Sequence, residues 1–273
     1  DIYSGAHAAA AGGFTSVVCM ANTKPIADNP DTISYIVKKG KKTGIHVYTA
    51  AAVTKEFDGK NLTDFKELLQ AGAIGFTDDG IPIKDAGIVK SAMEMAAELD
   101  VPISLHEEDP DLIERPGVNQ GKVSEKLNYG GAPARSEYEM VQRDCELALQ
   151  TRAKTVIQHI SSAETVEAVR QCWKRGGKIY GEVTPQHFSA TEDLVLEKGA
   201  LARVNPPLRT EEDRRAIIEG LKDGTLNIIA TDHAPHSREE KAKDIKDAPS
   251  GMIGLETSLA LGITNLVETG ELE

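Results

Sequence analysis

Four residues able to hold a cation or move a proton stand at the ends of four apolar runs. Asp79 follows Ala73–Phe76, His106 follows Pro102–Leu105, His159 closes Thr155–His159, and Asp232 follows Leu226–Ala230. A buried strand that stops at such a residue delivers it to the strand's carboxyl edge, and parallel strands closed into a barrel bring those edges to one rim. Two neutral imidazoles and two carboxylates suit a borderline-hard divalent ion such as zinc, and a carboxylate at Asp79 has the oxygens to bridge two ions. The densest stretch is Ile228–His236, which reads Ile-Ile-Ala-Thr-Asp-His-Ala-Pro-His. Taken alone, it fits equally well as a loop capped by Asp232 with His233 and His236 at the surface. The three other strand ends favour the ligand reading.

The elements that must position these residues recur with a period of about 28 residues, one βα unit per step. Strands are expected at Thr15–Met20, His46–Val53, Ala73–Phe76, Pro102–Leu105, Thr155–His159, Lys178–Val183 and up to Asp232, with an extended segment at Ala202–Asn205. Helical patterns lie between them, at Asp31–Lys42, Leu62–Ala71, Ala86–Leu99, Glu137–Gln150, Ala163–Arg175, near Glu192–Lys198 and at Glu211–Leu221. Asn61–Asp64 and Asp85 serve as N-caps and Gly72 as a stop. The Gly- and Pro-rich Asp109–Ser136 reads as a long lid or interface loop with a short helix at Asp111–Glu114. Arg238–Asp247 reads as a solvated loop or helix. Alternation along Phe76-Thr77-Asp78-Asp79 turns only one of the adjacent carboxylates inward.

A chain of 273 residues with 40% apolar content suffices for one large core, so residues 1–273 are expected to form a single domain. The formal charge of −12 argues against a nucleic-acid groove or an anionic membrane surface, while leaving room for a local site for a small anion. Cys19, Cys145 and Cys172 are widely spaced, which disfavours a disulfide framework and fits a reducing, cytoplasmic setting. No apolar run has the length of a membrane span. No dinucleotide fingerprint, P-loop or nucleophile elbow occurs, so the Rossmann and hydrolase-elbow versions of a parallel sheet have little support.

Thr77-Asp-Asp-Gly, Leu105-His-Glu-Glu-Asp, Gln158-His-Ile-Ser, Glu182-Val-Thr-Pro-Gln-His, Asn205-Pro-Pro-Leu-Arg and Ala230-Thr-Asp-His-Ala-Pro-His occur in one order along the chain. In that order and over essentially the whole length, the sequence resembles the dihydroorotases of the bacterial class I type, within the cyclic amidohydrolases. The resemblance implies an α/β fold, a (β/α)8 barrel of the amidohydrolase type, and zinc-dependent reversible hydrolysis of dihydroorotate to N-carbamoyl-L-aspartate in pyrimidine synthesis. It places the bridging ligand on Asp79, imidazole ligands on His106 and His159, and the ligand and general acid/base on Asp232. It places substrate contacts on Asn22, Asn205, His236 and the Ser250-Gly251 backbone. One or two zinc ions are implied, with a homodimer or a complex with aspartate transcarbamoylase as the assemblies it allows.

Two departures accompany the resemblance. The family's first-strand His-x-His-x-Arg is absent, and His7 stands alone in a helix-like stretch that begins at Asp1 and stops at the Gly12-Gly13 pair. The sequence also ends at Glu273, where family members continue, so the chain is expected to be an internal piece holding strands two to eight. Hydantoinases, dihydropyrimidinases and allantoinases share the barrel but usually carry a carboxylated lysine where Asp79 stands. A noncatalytic scaffold for aspartate transcarbamoylase is the alternative of a different class, which the retained His106, His159 and Asp232 disfavour.

Overall fold

The computed structural model describes all 273 residues, Asp1–Glu273. Six short strands alternate with helices: β1 Ser16–Cys19, β2 His46–Thr49, β3 Pro102–Leu105, β4 Lys154–Ile157, β5 Ile179–Val183 and β6 Leu226–Ile229. The chain gathers into two compact units, one comprising Asp1–His106, Arg143–Gln158 and Cys172–Ile179, the other Glu107–Gln142, His159–Gln171 and Tyr180–Glu273.

In the first unit β1 pairs in parallel with β2, Ser16 opposite His46, and β3 with β4, Pro102 opposite Lys154. The expected strand at Ala73–Phe76 is reduced to isolated bridges, yet it is threaded between β2 and β3. Ile74 N donates to Thr49 O and Ala51 N to Gly75 O, while Phe76 N donates to Pro102 O and Ser104 N to Phe76 O. Gly75 allows this close passage, since a Cβ there would lie 3.0 Å from the Pro102 carbonyl. The helices flanking the strands start where the caps direct: Asn29, Asp64 and Asp85 each accept a hydrogen bond from an amide of the first turn. Gly72 ends one helix at φ 112°, a left-handed conformation that suits glycine. Their apolar faces supply Ile33, Phe65, Leu68, Val89 and Met93 to a core completed by Phe76 and Ile103, all fully buried. Each such side chain contributes roughly 1.5–3 kcal/mol by leaving water.

In the second unit β5 pairs in parallel with β6, with a register shift at Gly181/Glu182. Ile160 N donates to Glu182 O and Ala230 N to Val183 O, extending the parallel pattern past the regular strands.

Two expectations need correction. The short helix at Asp111–Glu114 is a set of turns, and the helix in the long loop is Lys122–Lys126 instead. A single turn is weak unless its surroundings hold it, and here the amides of Glu114 and Arg115 bond across to Gly131 O instead. The extended segment expected at Ala202–Asn205 begins one residue later, because Ala202 closes a turn and Arg203 is the first extended residue (φ −79°, ψ 114°). The left-handed Gly199 (φ 54°) ends the helix Leu194–Lys198, and Gly199–Ala202 continues as a 3-10 turn. Arg238–Asp247 is a solvated helix and loop as expected, with the helix at Arg238–Lys241, and the Lys241 ammonium donates to the carbonyls of Pro249 (3.0 Å) and Gly251 (2.8 Å). The three cysteines are free thiols, and no helix is long and apolar enough to cross a membrane.

Candidate metal and substrate site

The adjacent carboxylates Asp78 and Asp79 do different work. Asp78 Oδ1 accepts from Val53 N at 2.7 Å and Thr54 N at 3.1 Å, while its Oδ2 takes the Thr54 hydroxyl. Burial nevertheless pushes its pKa up to about 6, against the pull of those donors. Its hydrogen-bonding capacity is spent on the backbone beyond β2. Asp79 accepts from Asn22 Nδ2 at 2.9 Å through Oδ2, and its Oδ1 lies 3.9 Å from His106 Nδ1. Burial raises the Asp79 pKa, and the His106 imidazole and the Asn22 amide oppose the rise.

His106 follows β3 directly, and His159 stands two residues beyond β4. Both are buried, and the half-buried Asp79 brings Oδ1 to 3.9 Å from His106 Nδ1. Two donors on one ion with bonds of about 2.1 Å lie at most about 4.2 Å apart, so this pair already has a separation that one ion can span, and its nitrogen and carboxylate donors suit zinc. Asp232 lies past β6, half-buried, at φ 45°, and His159 has φ 33°. Two candidate residues thus occupy the left-handed region that non-glycine residues avoid, a strain that clusters at functional sites.

The segment after Asp232 folds back on a later loop. His233 Nδ1 accepts from Gly254 N at 3.0 Å, so the proton sits on Nε2 when the ring is neutral. His236 Nε2 donates to Ser250 O at 2.8 Å. Gly251, at φ 128°, fits beneath this contact: a Cβ there would lie 2.7 Å from Ala234 O and 3.1 Å from His236 Nε2. The Ser250 hydroxyl and the Asn205 Oδ1 are shielded from water and have no protein partner. Buried polar atoms left this way are costly unless something else satisfies them, which marks both as candidates for contact with a bound polar molecule.

Sequence reasoning missed a buried polar network in the second unit. Arg209 donates through Nε to Ser161 Oγ at 2.7 Å and through Nη1 to Asn119 Oδ1 at 2.9 Å and Ala132 O at 3.1 Å. Glu137 accepts from the amides of Ser161 and Ser162 at 3.1 and 3.2 Å and lies 3.8 Å from the Arg209 guanidinium. His187, the last residue of Glu182-Val-Thr-Pro-Gln-His, is buried with both ring nitrogens engaged. The usable signal was the charge in Asn205-Pro-Pro-Leu-Arg: an arginine placed directly after an apolar Pro-Pro-Leu run predicts a buried partner.

Comparison with known proteins adds to this geometry. A family model described as Dihydro-orotase-like matches residues 1–165. The chain belongs to this family. Over 272 residues it is 57% identical to a dihydroorotase of Clostridioides difficile, covering 100% of the chain and 65% of that relative. Over 271 residues it is 55% identical to a dihydroorotase of Lactococcus lactis, covering 99% and 64%. The chain therefore spans somewhat less than two thirds of the length of these curated relatives. Among solved structures, this dihydroorotase-like chain resembles the L-hydantoinase (dihydropyrimidinase) from Arthrobacter aurescens, with a TM-score of 0.87 at 24% identity, covering 100% of the chain and 63% of that structure. It also resembles the dihydropyrimidinase from Brevibacillus agri, with a TM-score of 0.80 at 20% identity, covering 100% and 62%. These likenesses establish the expected α/β barrel class of fold.

Proposed function

We propose that the full-length protein carrying this chain is a dihydroorotase that interconverts dihydroorotate and N-carbamoyl-L-aspartate. The observation that carries this reading is the pair of Asp79 and His106, with donors 3.9 Å apart, in a chain of the dihydroorotase-like family. Zinc held by Asp79 and His106, with His159 as the further ligand that the family resemblance implies, would supply Lewis acidity to polarise the ring carbonyl and lower the pKa of water. Asn22 fixes the rotamer of Asp79 through its amide. Asp232 accepts the proton of the attacking water in ring opening and delivers it to the departing amide nitrogen; in ring closure the transfers reverse. Asn205 and Ser250 present their unpartnered oxygens to the substrate, and Gly251 lets the backbone approach it. His236 orients that loop through the Ser250 carbonyl. A single domain, a cytoplasmic setting and a homodimer or transcarbamoylase complex belong to the same reading.

The test is to purify the full-length protein, measure its zinc, and assay it with dihydroorotate, N-carbamoyl-aspartate, dihydrouracil and hydantoin. Zinc-dependent turnover of the first pair alone supports the reading. Turnover confined to the second pair moves the chain to the dihydropyrimidinase type, and no zinc with tight transcarbamoylase binding makes it a scaffold.

A further inference from the structure

We infer that His187 is a positioning residue for the substrate site: in its neutral Nε2–H form it holds the Asn205-Pro206 turn and so aims the Asn205 carboxamide. The inference rests on the functional reading above, in which Asn205 touches the substrate.

The geometry fixes the ring's chemistry. His187 Nε2 lies 3.0 Å from the Pro206 carbonyl, which can only accept, so Nε2 carries a proton. Nδ1 lies 2.6 Å from the Thr184 hydroxyl, which donates to it when the ring is neutral. His187 and Thr184 are both buried. Burial lowers the His187 pKa to about 4, so the ring stays neutral under neutral conditions and this arrangement persists. The imidazole thus spans from the end of β5, at Thr184, to the turn that begins at Asn205.

The turn is held at both ends. His187 grips Pro206 O, and three residues on, Arg209 is locked by Ser161, Asn119 and Ala132. Pro206, Pro207 and Leu208 between them are buried. Asn205 is the residue left at the free margin of this clamp, with its Oδ1 shielded and unpartnered in the protein. A group held in one orientation without a partner of its own is preorganised for a ligand, and the binding term it supplies depends on the support behind it. His187 is that support, and both of its ring nitrogens are engaged within the protein.

The experiment is steady-state kinetics in both directions on the full-length protein, with metal content measured for each variant. His187→Asn keeps a polar group near Nδ1 but cannot reach Pro206, and it is expected to raise KM about tenfold or more while kcat stays within about threefold. His187→Gln, whose amide reaches towards the Nε2 position, is expected to recover most of that loss. Asn205→Ala should raise KM by a similar factor, and the double variant His187→Asn/Asn205→Ala should be no worse than the poorer single one, since both remove the same contact. Should His187→Asn fail to fold, Thr184→Val carries the test, because it removes only the donor to Nδ1 and is expected to raise KM by about threefold. An unchanged KM in the folded variants, or fully additive losses in the double variant, overturns the positioning role while leaving the enzyme a dihydroorotase. Absence of turnover by the wild-type protein defeats the functional reading itself, and the inference with it.

Discussion

Asn22 and Asp79, 57 residues apart in sequence, are joined by a hydrogen bond of 2.9 Å from the amide Nδ2 to Oδ2. The bond divides the carboxylate: one oxygen is held by the turn after β1, and the other faces His106 Nδ1 at 3.9 Å. Asn22 thereby supports the candidate metal ligand from behind, in addition to the substrate contact that its family resemblance implies.

Replacing Asn22 by Ala should weaken zinc binding by roughly 10- to 100-fold, the usual effect of losing a group that orients a ligand. Competition with a chelator measures this. Unchanged zinc affinity together with a raised KM would assign Asn22 to the substrate alone.

The two adjacent carboxylates should separate by phenotype. Asp78→Ala leaves the buried amides of Val53 and Thr54 without an acceptor and is expected to destabilise the metal-free protein by roughly 3 kcal/mol. Asp79→Ala should change metal-free stability by no more than about 1 kcal/mol and abolish tight zinc binding. Urea unfolding of metal-free variants, with zinc titrations alongside, distinguishes them, and a reversed pattern would mean that the roles are exchanged.

Asp232→Asn should lower turnover in both directions by about 100- to 10,000-fold, the usual range for losing a general acid–base, with at least part of the zinc retained. In the wild type, ring opening needs the ionised carboxylate and should slow as pH falls, whereas ring closure needs the protonated form and should slow as pH rises. Near-normal rates in the variant at full metal content would place the proton carrier elsewhere.

His187 makes stability depend on pH. Burial lowers its folded pKa to about 4, below the roughly 6.5 of an exposed imidazole, so the unfolded chain takes up the proton first as pH falls. The stability tied to the neutral ring is complete above about pH 6.5 and is lost as pH falls towards 4, by on the order of 3 kcal/mol in all. Glu137 pulls this pKa up and Arg209 pushes it down, and both persist in a His187→Gln variant. The stability difference between wild type and that variant should therefore shrink by roughly 2–3 kcal/mol between pH 7 and pH 4.5. A difference independent of pH would show that the ring titrates alike in both states.

What the sequence determined by itself was local and periodic. Alternating apolar runs and capped helices set the βα order, because caps such as Asp85 and stops such as Gly72 act within one turn of backbone. The polar residues at the strand ends could be named as candidates for the same reason: where an apolar run stops is written in the run. Tertiary structure decided which of them meet. It set Asp79 beside His106 and gave Asp78 to the backbone at Val53 and Thr54. It also buried Arg209 with Glu137, and His187 against Pro206, through contacts between segments up to 90 residues apart. Such pairings leave no local pattern, since a buried charge or ring is stable only by virtue of partners brought from elsewhere in the chain. The short helix misplaced at Asp111–Glu114 has the same origin: Glu114 and Arg115 are held by Gly131, and a bond to a distant carbonyl outweighs the weak preference of a single turn.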